Sequence, residues 1–230
     1  MRKPEHPRQL PLDLGHAPGV SRDDLVVSAA NRDAVALIER WPDWPSPVVI
    51  LAGPPGSGKS HLASIWREHA QAAGLVAADI AVAGAGASGL EILVEDADSP
   101  QLDQTGLFHL INAVRGGGGH LLLTARRFPS AWGVTLPDLA SRLKAATTVE
   151  IHEPDDLLLA GVITKLFADR QVEVEANVVQ FLVRRIERSL SAAIDIVGRL
   201  DRTALERKSR ITRAMAAELT AEIEQKRFEF

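Results

Sequence analysis

Residues 53–60 read Gly53-Pro54-Pro55-Gly56-Ser57-Gly58-Lys59-Ser60, and they constrain the fold more tightly than any other part of the chain. They fit the phosphate-binding pattern G-x-x-x-x-G-K-[ST] at every fixed position. Glycines let such a loop curl until several backbone N–H groups point inward at an anion. Lys59 then reaches the outer phosphates of a nucleotide, and the Ser60 hydroxyl takes a place on a magnesium ion. The pattern needs a buried strand before it and a helix after it. Val48-Val49-Ile50-Leu51-Ala52 is apolar and rich in β-branched residues, as a buried parallel strand should be. From Ser60 onward, His61-Leu62-Ala63-Ser64-Ile65-Trp66 continues at helical spacing, so a helix N-terminus faces the same anion. The residues assigned to nucleotide contact are Gly53, Pro55, Gly56, Ser57, Gly58, Lys59, Ser60 and His61.

The remaining punctuation places that loop in an α/β domain. Residues 29–41 read as a helix. The loop from Trp41 to Pro47 holds three prolines in seven residues, which forbids regular structure, and its two tryptophans are expected to pack the loop. Further strands are expected at 90–94, 120–124 and 147–151, with a helix over 105–114. The four-glycine run at 116–119 has no functional account. Strands alternating with helices imply a parallel sheet covered on both faces. After Pro154 strand signals stop, and 155–170, 176–188, 189–207 and 212–227 are all helical in period. The expected division is a tail at 1–20, an α/β nucleotide domain at 21–153 and a small helical lid at 154–230.

Composition removes several classes. A hydrophobic fraction of 46% and a charged fraction of 24% are those of an ordinary globular chain. The net charge of −4 supplies no global attraction for nucleic acid. With no cysteine there is neither a disulfide frame nor a thiolate metal site. No apolar run approaches the roughly 18 residues of a membrane span. The basic N-terminal stretch is not followed by an apolar signal core, so a cytoplasmic location is expected.

A nucleotide site also needs an acidic strand end. Glu91-Ile92-Leu93-Val94-Glu95-Asp96 offers one, with Glu95 placed to hold magnesium together with Ser60 and Asp96 placed to polarise an attacking water. The usual order is Asp-Asp or Asp-Glu. Glu95 is one methylene too long for its role and Asp96 one too short, and a displacement of about 1 Å can cost on the order of a hundredfold in rate. Weak or absent intrinsic hydrolysis is therefore expected. Thr124 ends its strand beside the loop. Its hydroxyl either orients the attacking water or satisfies local backbone, and the spacing leaves both open.

These parts together resemble the AAA+ family and, within it, the DnaA replication initiator group. Leu25-Val26-Val27-Ser28-Ala29-Ala30-Asn31 is similar to the segment that packs on adenine in that group, which assigns Val27 and Asn31 to the nucleotide. Leu136-Pro137-Asp138-Leu139-Ala140-Ser141-Arg142-Leu143 resembles the box that carries the arginine finger, which assigns that role to Arg142. A finger works across an interface, stabilising the charge that builds on a neighbour's transferring phosphoryl group. Two departures stand out. The chain is expected to lack the initiator's helix-turn-helix DNA-binding domain. The lid arginine that normally senses nucleotide falls at Ser191, with Arg188 three residues earlier, so either Arg188 has taken the role or the lid senses nucleotide poorly; the second is preferred.

Gln9-Leu10-Pro11-Leu12-Asp13-Leu14 fits Q-L-x-L-x-L, the peptide that docks on the bacterial sliding clamp, the β subunit of DNA polymerase III. The assigned contacts are Gln9, Leu10, Leu12 and Leu14, with Pro11 lowering the entropy lost on docking. The resemblance implies a specific activity. The protein holds ADP or ATP with Mg²⁺, is tethered to DNA-loaded clamps, and stimulates hydrolysis of the ATP bound to DnaA. The outcome is negative regulation of replication initiation at the nucleoid, with DNA touched only through the clamp. A homodimer stays open. Two alternatives remain: an autonomous ATPase or loading factor, and a DnaA paralogue whose lid arginines bind DNA.

Overall fold

The computed structural model describes residues 25–76, 80 and 89–228. Among them five strands form one parallel sheet: β1 (Val48–Ala52), β2 (Ala73–Val76), β3 (Glu91–Glu95), β4 (His120–Ala125) and β5 (Thr147–Glu150). Their order across the sheet is β2-β3-β4-β1-β5, so β1 lies between β4 and the edge strand β5. The nucleotide domain contributes helices α1 (Arg32–Glu39), α2 (Lys59–Ala70), α3 (Gln104–Gly117) and α4 (Pro137–Lys144). The lid contributes α5 (Asp156–Asp169), α6 (Ala176–Arg185), α7 (Leu190–Arg207) and α8 (Arg213–Phe228).

Period-two alternation divides the sheet between two cores. Val48, Ile50, Ile92, Val94, Leu121 and Leu123 face α3 and α4. Val49, Leu51, Leu93 and Leu122 face α1 and α2, where Trp66 is fully buried. A third core lies in the lid around Phe167, Leu182, Val197 and Leu200. There α5 packs on α6 and α7, and α8 closes against α6 and α7. No helix among the described residues is long and apolar enough to cross a membrane.

Several elements differ from the sequence reading in extent. The first helix starts at Arg32 because Ser28 and Asn31 make a closed turn before it, with the Ser28 N–H donating to Asn31 Oδ1 at 2.8 Å. The helix expected over 105–114 continues into the glycine run and stops only at Gly118, whose φ is +77°. Gly119 is packed so closely on Leu90 that a Cβ would collide with that residue's carbonyl. The glycine run therefore ends α3 and turns the chain into β4. In the proline loop, Trp44 stacks on Trp66 with centroids 5.2 Å apart and donates its indole N–H to the Leu37 carbonyl at 2.8 Å. The loop is held by its tryptophans, as expected.

Candidate functional site

The phosphate loop leaves the end of β1 and is pinned at its first residue. The Gly53 N–H donates to the Ala125 carbonyl at 3.1 Å, so the loop begins against the last residue of β4. Gly56 and Gly58 have φ of +72° and +101°, the left-handed conformations that curl the chain. Gly58 is the N-cap of α2 and no side chain caps that helix, so its first-turn N–H groups remain for an anion. Lys59 is nearly buried and folds back on the loop, donating to the carbonyls of Gly53 at 2.7 Å and Pro54 at 2.8 Å. Burial holds its ammonium below the ordinary lysine value; the carboxylates of Asp96 and Asp98 oppose that pull and the charge of Arg126 reinforces it. The Ser57 hydroxyl is buried with no hydrogen-bond partner among the described residues. A buried cation, an orphaned hydroxyl and uncapped helix N–H groups in one loop fit a phosphate chain.

A cavity of about 310 Å³ opens from this loop. Gly56, Ser57, Gly58, Lys59, Ser60 and His61 form its polar end. Leu25, Val26, Val35, Ile151, Leu158 and Val162 form an apolar wall. A flat apolar base fits the second region while its phosphates meet the first. The volume lies within the ordinary range for small-molecule sites, roughly 300–1,000 Å³. In the extended segment before α1, Val26 turns inward and Val27 outward. Val27 is 46% exposed and does not line the cavity, so the apolar contact expected at Val27 falls to its neighbours Leu25 and Val26. Val26 approaches α5 so closely that a Cβ on Gly161 would come within 2.6 Å of its Cγ1. Asn31 does line the cavity, but its amide is engaged: Nδ2 donates to the Val26 carbonyl at 2.9 Å and Oδ1 accepts from Ser28. It shapes the wall. Gly53 and Pro55 lie outside the lining, Gly53 anchoring the loop as above.

The acidic strand end sits beside the loop, outside the lining. Glu95 closes β3 half-buried, and Asp96 follows with φ +50° and an exposed side chain. Thr124 is 3% exposed, and its Oγ1 accepts the Asp96 N–H at 3.2 Å. The hydroxyl thus takes a backbone partner, but one 28 residues away at the end of β3 and not the local backbone that the spacing had offered as one of two readings. Sequence reasoning missed Asp98, a buried carboxylate that accepts the Arg126 N–H at 3.1 Å and faces Arg127 Nε at 3.4 Å. Its signal was a third acid shortly after the expected pair. Among the described residues no cluster of three or more His, Cys, Asp or Glu is arranged to hold a metal ion. A magnesium ion here would rest on Ser60, the strand-end acid and the phosphates themselves.

The lid reaches the loop through the start of α7. Ser189 caps that helix, and the Leu190 N–H donates to the Gly56 carbonyl at 2.8 Å. Ser191 lines the cavity. Arg188 does not: its guanidinium is 2.7 Å from Asp156 and 3.2 Å from the Pro154 carbonyl, at the junction of sheet and lid. Lys165 of α5 also lines the cavity, 2.7 Å from Asp169. Neither Lys165 nor Ile194 was singled out from sequence, because a lid helix shows only its own core period. Arg142 is exposed on α4, which packs against α3 on the sheet face away from α1 and α2, and it makes no ion pair among the described residues. Gln9, Leu10, Leu12 and Leu14 lie outside the described residues.

Comparison with known proteins agrees with this arrangement. Residues 162–216 match the family described as "Hda, lid domain". An uncharacterized protein of Haemophilus influenzae is 28% identical over 107 residues, which is 46% of this chain and 46% of that protein. The match thus spans about half the length of that curated relative. Domain III of the Thermotoga maritima replication initiation protein DnaA superposes with a TM-score of 0.76 at 16% identity, over 89% of this chain and 97% of that one. AMPPCP-bound DnaA of Aquifex aeolicus superposes with a TM-score of 0.70 at 21% identity, over 83% of this chain and 68% of that one. The chain therefore has the AAA+ fold of DnaA domain III and carries a lid similar to that of Hda.

Proposed function

We propose that this chain is an Hda-like regulator of replication initiation. It binds ADP or ATP in the cavity between phosphate loop and lid, and presents Arg142 to the nucleotide of a neighbouring DnaA molecule. The observation that carries this reading is the separation of the two features. The phosphate loop closes against an Hda-type lid, while Arg142 stands exposed on the far side of the sheet, where its own cavity has no use for it. An exposed arginine on a short helix, free of any ion pair among the described residues, supports action across an interface. The chain's own Lys59, Ser57 and α2 N-terminus hold the phosphates; bound magnesium would neutralise their charge. The Gln9–Leu14 motif supports tethering to the sliding clamp, where a short linker supplies effective concentrations near the mM scale. Homodimer formation and a nucleoid location belong to the same proposal.

The test is a hydrolysis assay with DnaA, DNA-loaded clamp and this protein. The parent is expected to stimulate DnaA-bound ATP hydrolysis. Arg142→Ala should abolish stimulation while keeping clamp binding, whereas Gln9→Ala with Leu12→Ala should weaken clamp binding first. Stimulation by both variants at the parent level overturns the reading. Turnover of ATP by the isolated chain, lost in Lys59→Ala, favours an autonomous ATPase instead.

A further inference from the structure

The lid carries arginines in two different states. Arg199 lies 2.8 Å from Asp195, Arg207 2.8 Å from Glu218 and Arg170 3.8 Å from Asp201, so each of these charges is answered within the lid. Arg184, Arg185, Arg210 and Arg213 are exposed and make no ion pair among the described residues. Two of these four meet. Arg185 ends α6 and Arg213 begins α8, and both guanidiniums lie over the ring of Phe181, 5.8 Å and 5.4 Å from its centroid. The lid core sets this meeting: α6 packs on α8, with Leu182 and Val183 of one helix and Met215 and Ala216 of the other buried in the same cluster. Like charges on one ring repel, and the attraction of each for the ring offsets only part of that cost. Helix electrostatics favour Arg184 and Arg185, which stand in the last turn of α6. They oppose Arg213, which stands at the positive end of α8, in a first turn without an acid. Stability of the lid thus gives no reason for a second cation at Phe181.

We propose that this face of the lid, centred on Arg185 and Arg213 over Phe181, binds the phosphate backbone of duplex DNA directly. The contact needs neither the nucleotide cavity nor Arg142. Guanidiniums present parallel N–H donors that match phosphate oxygens, and their charge persists at every physiological pH. A duplex carries one negative charge per about 1.7 Å of its axis, the dense anion that two adjoining unpaired cations favour. A binder of single strands offers open aromatic faces on which bases stack. Phe181 does not, because two guanidiniums already occupy its ring. Contact through the backbone alone carries no base sequence. The net charge of −4 repels DNA from the rest of the molecule, so the contact is local and sensitive to salt.

The experiment is fluorescence anisotropy of a labelled DNA duplex titrated with the full chain, without clamp or DnaA, between about 50 and 200 mM salt. The parent should bind with a Kd of about 1–100 µM, equally for two unrelated sequences. Arg185→Ala with Arg213→Ala should weaken binding about tenfold and lower the steepness of log K against log salt by about 1–2, each neutralised phosphate being worth about 0.9. Arg185→Lys with Arg213→Lys should fall between in affinity and keep the slope, which separates lost charge from altered packing on Phe181. Arg32→Ala with Lys144→Ala removes the same charge from exposed positions of the sheet domain and should change binding less than about twofold. Equal weakening by the two alanine pairs overturns the proposal, because net charge alone would then govern binding. So does a parent that shows no saturable binding at the lowest salt, or one that prefers a single strand of the same length. Displacement of the duplex by polyglutamate as readily as by unlabelled DNA also overturns it, in favour of an acidic protein surface. These outcomes are read without DnaA, clamp or nucleotide, so they leave the reading of Arg142 to its own assay.

Discussion

Gly56 carries three constraints at one Cα. Its φ of +72° is a conformation that costs an L-residue about 1–2 kcal/mol. Its carbonyl receives the Leu190 N–H, and a Cβ would come within 2.8 Å of the Ser189 Cβ and nearer still to its Oγ. Gly56→Ala should therefore destabilise by more than backbone strain alone, with the excess arising from displacement of the lid. Ser189→Gly removes the colliding atoms at a cost of a few tenths of a kcal/mol as an N-cap change. In urea unfolding the double variant should recover the excess but not the strain; additive effects would show that lid and loop are not in contact there. The spacing G-x-x-x-x-G-K-S announces Gly56 as a loop glycine but cannot announce Ser189, because their contact arises only when a distant helix docks. The one-residue shift from Val27 to Val26 has a similar origin. An irregular extended segment has no hydrophobic period long enough to fix which of two adjacent valines turns inward.

At the scale of elements, the junction of sheet and lid rests on the N-cap of α5. Asp155 accepts the Leu158 N–H at 2.8 Å, and the N-terminal segment joins it: the His152 N–H donates to the Ala30 carbonyl at 3.0 Å. Burial pushes the Asp155 carboxyl up. Hydrogen bonds from the Leu158 N–H, the Ser28 hydroxyl and the N–H groups of Ala30 and Leu157 outweigh it and hold the group below the ordinary aspartate value. A carboxylate so depressed contributes stability that is complete above its unfolded value and lost as pH falls toward the folded one. Asp155→Asn keeps a good cap and removes the titration, so its stability should vary less across the acid range than the parent's. Asp155→Ala should cost about 0.5–2 kcal/mol at neutral pH. Equal acid sensitivity of parent and Asp155→Asn, measured by denaturation at several pH values, would assign the acid loss elsewhere. The elements themselves were largely legible. Central strands are continuous apolar runs, and the lid helices keep a clear period. Caps were less legible: Asp155 and Ser189 were read as the first helical residues although both are preferred N-cap types, because the apolar period does not fix a helix end to within one residue. The helix at 137–144 was not read from the sequence; the resemblance marked these residues only as a finger-bearing box.

At the scale of the whole molecule, the cavity joins bodies with separate cores. Val35 and Leu62 belong to the core beneath α1 and α2, whereas Leu166 and Leu190 belong to the lid core or pack on it, and all four line the same space. A nucleotide there touches both bodies and raises the free energy needed to part them. Any ligand that binds the folded state alone stabilises by RT ln(1 + [L]/Kd), about 2.7 kcal/mol at a hundredfold excess over Kd. For a chain of this size that corresponds to a rise in Tm of roughly 5–10 °C. ADP at that excess should move parent and Arg142→Ala equally, since Arg142 lies on the far face of the sheet. Lys59→Ala should move little, because the buried ammonium that meets the phosphates is gone. The shape of the transition carries the further information. If nucleotide couples the bodies, sheet and lid unfold together at the raised temperature. If the sheet domain alone shifts while the lid melts at its original temperature, the lid does not share the ligand, and the Leu190–Gly56 contact is too weak to make nucleotide a determinant of lid position.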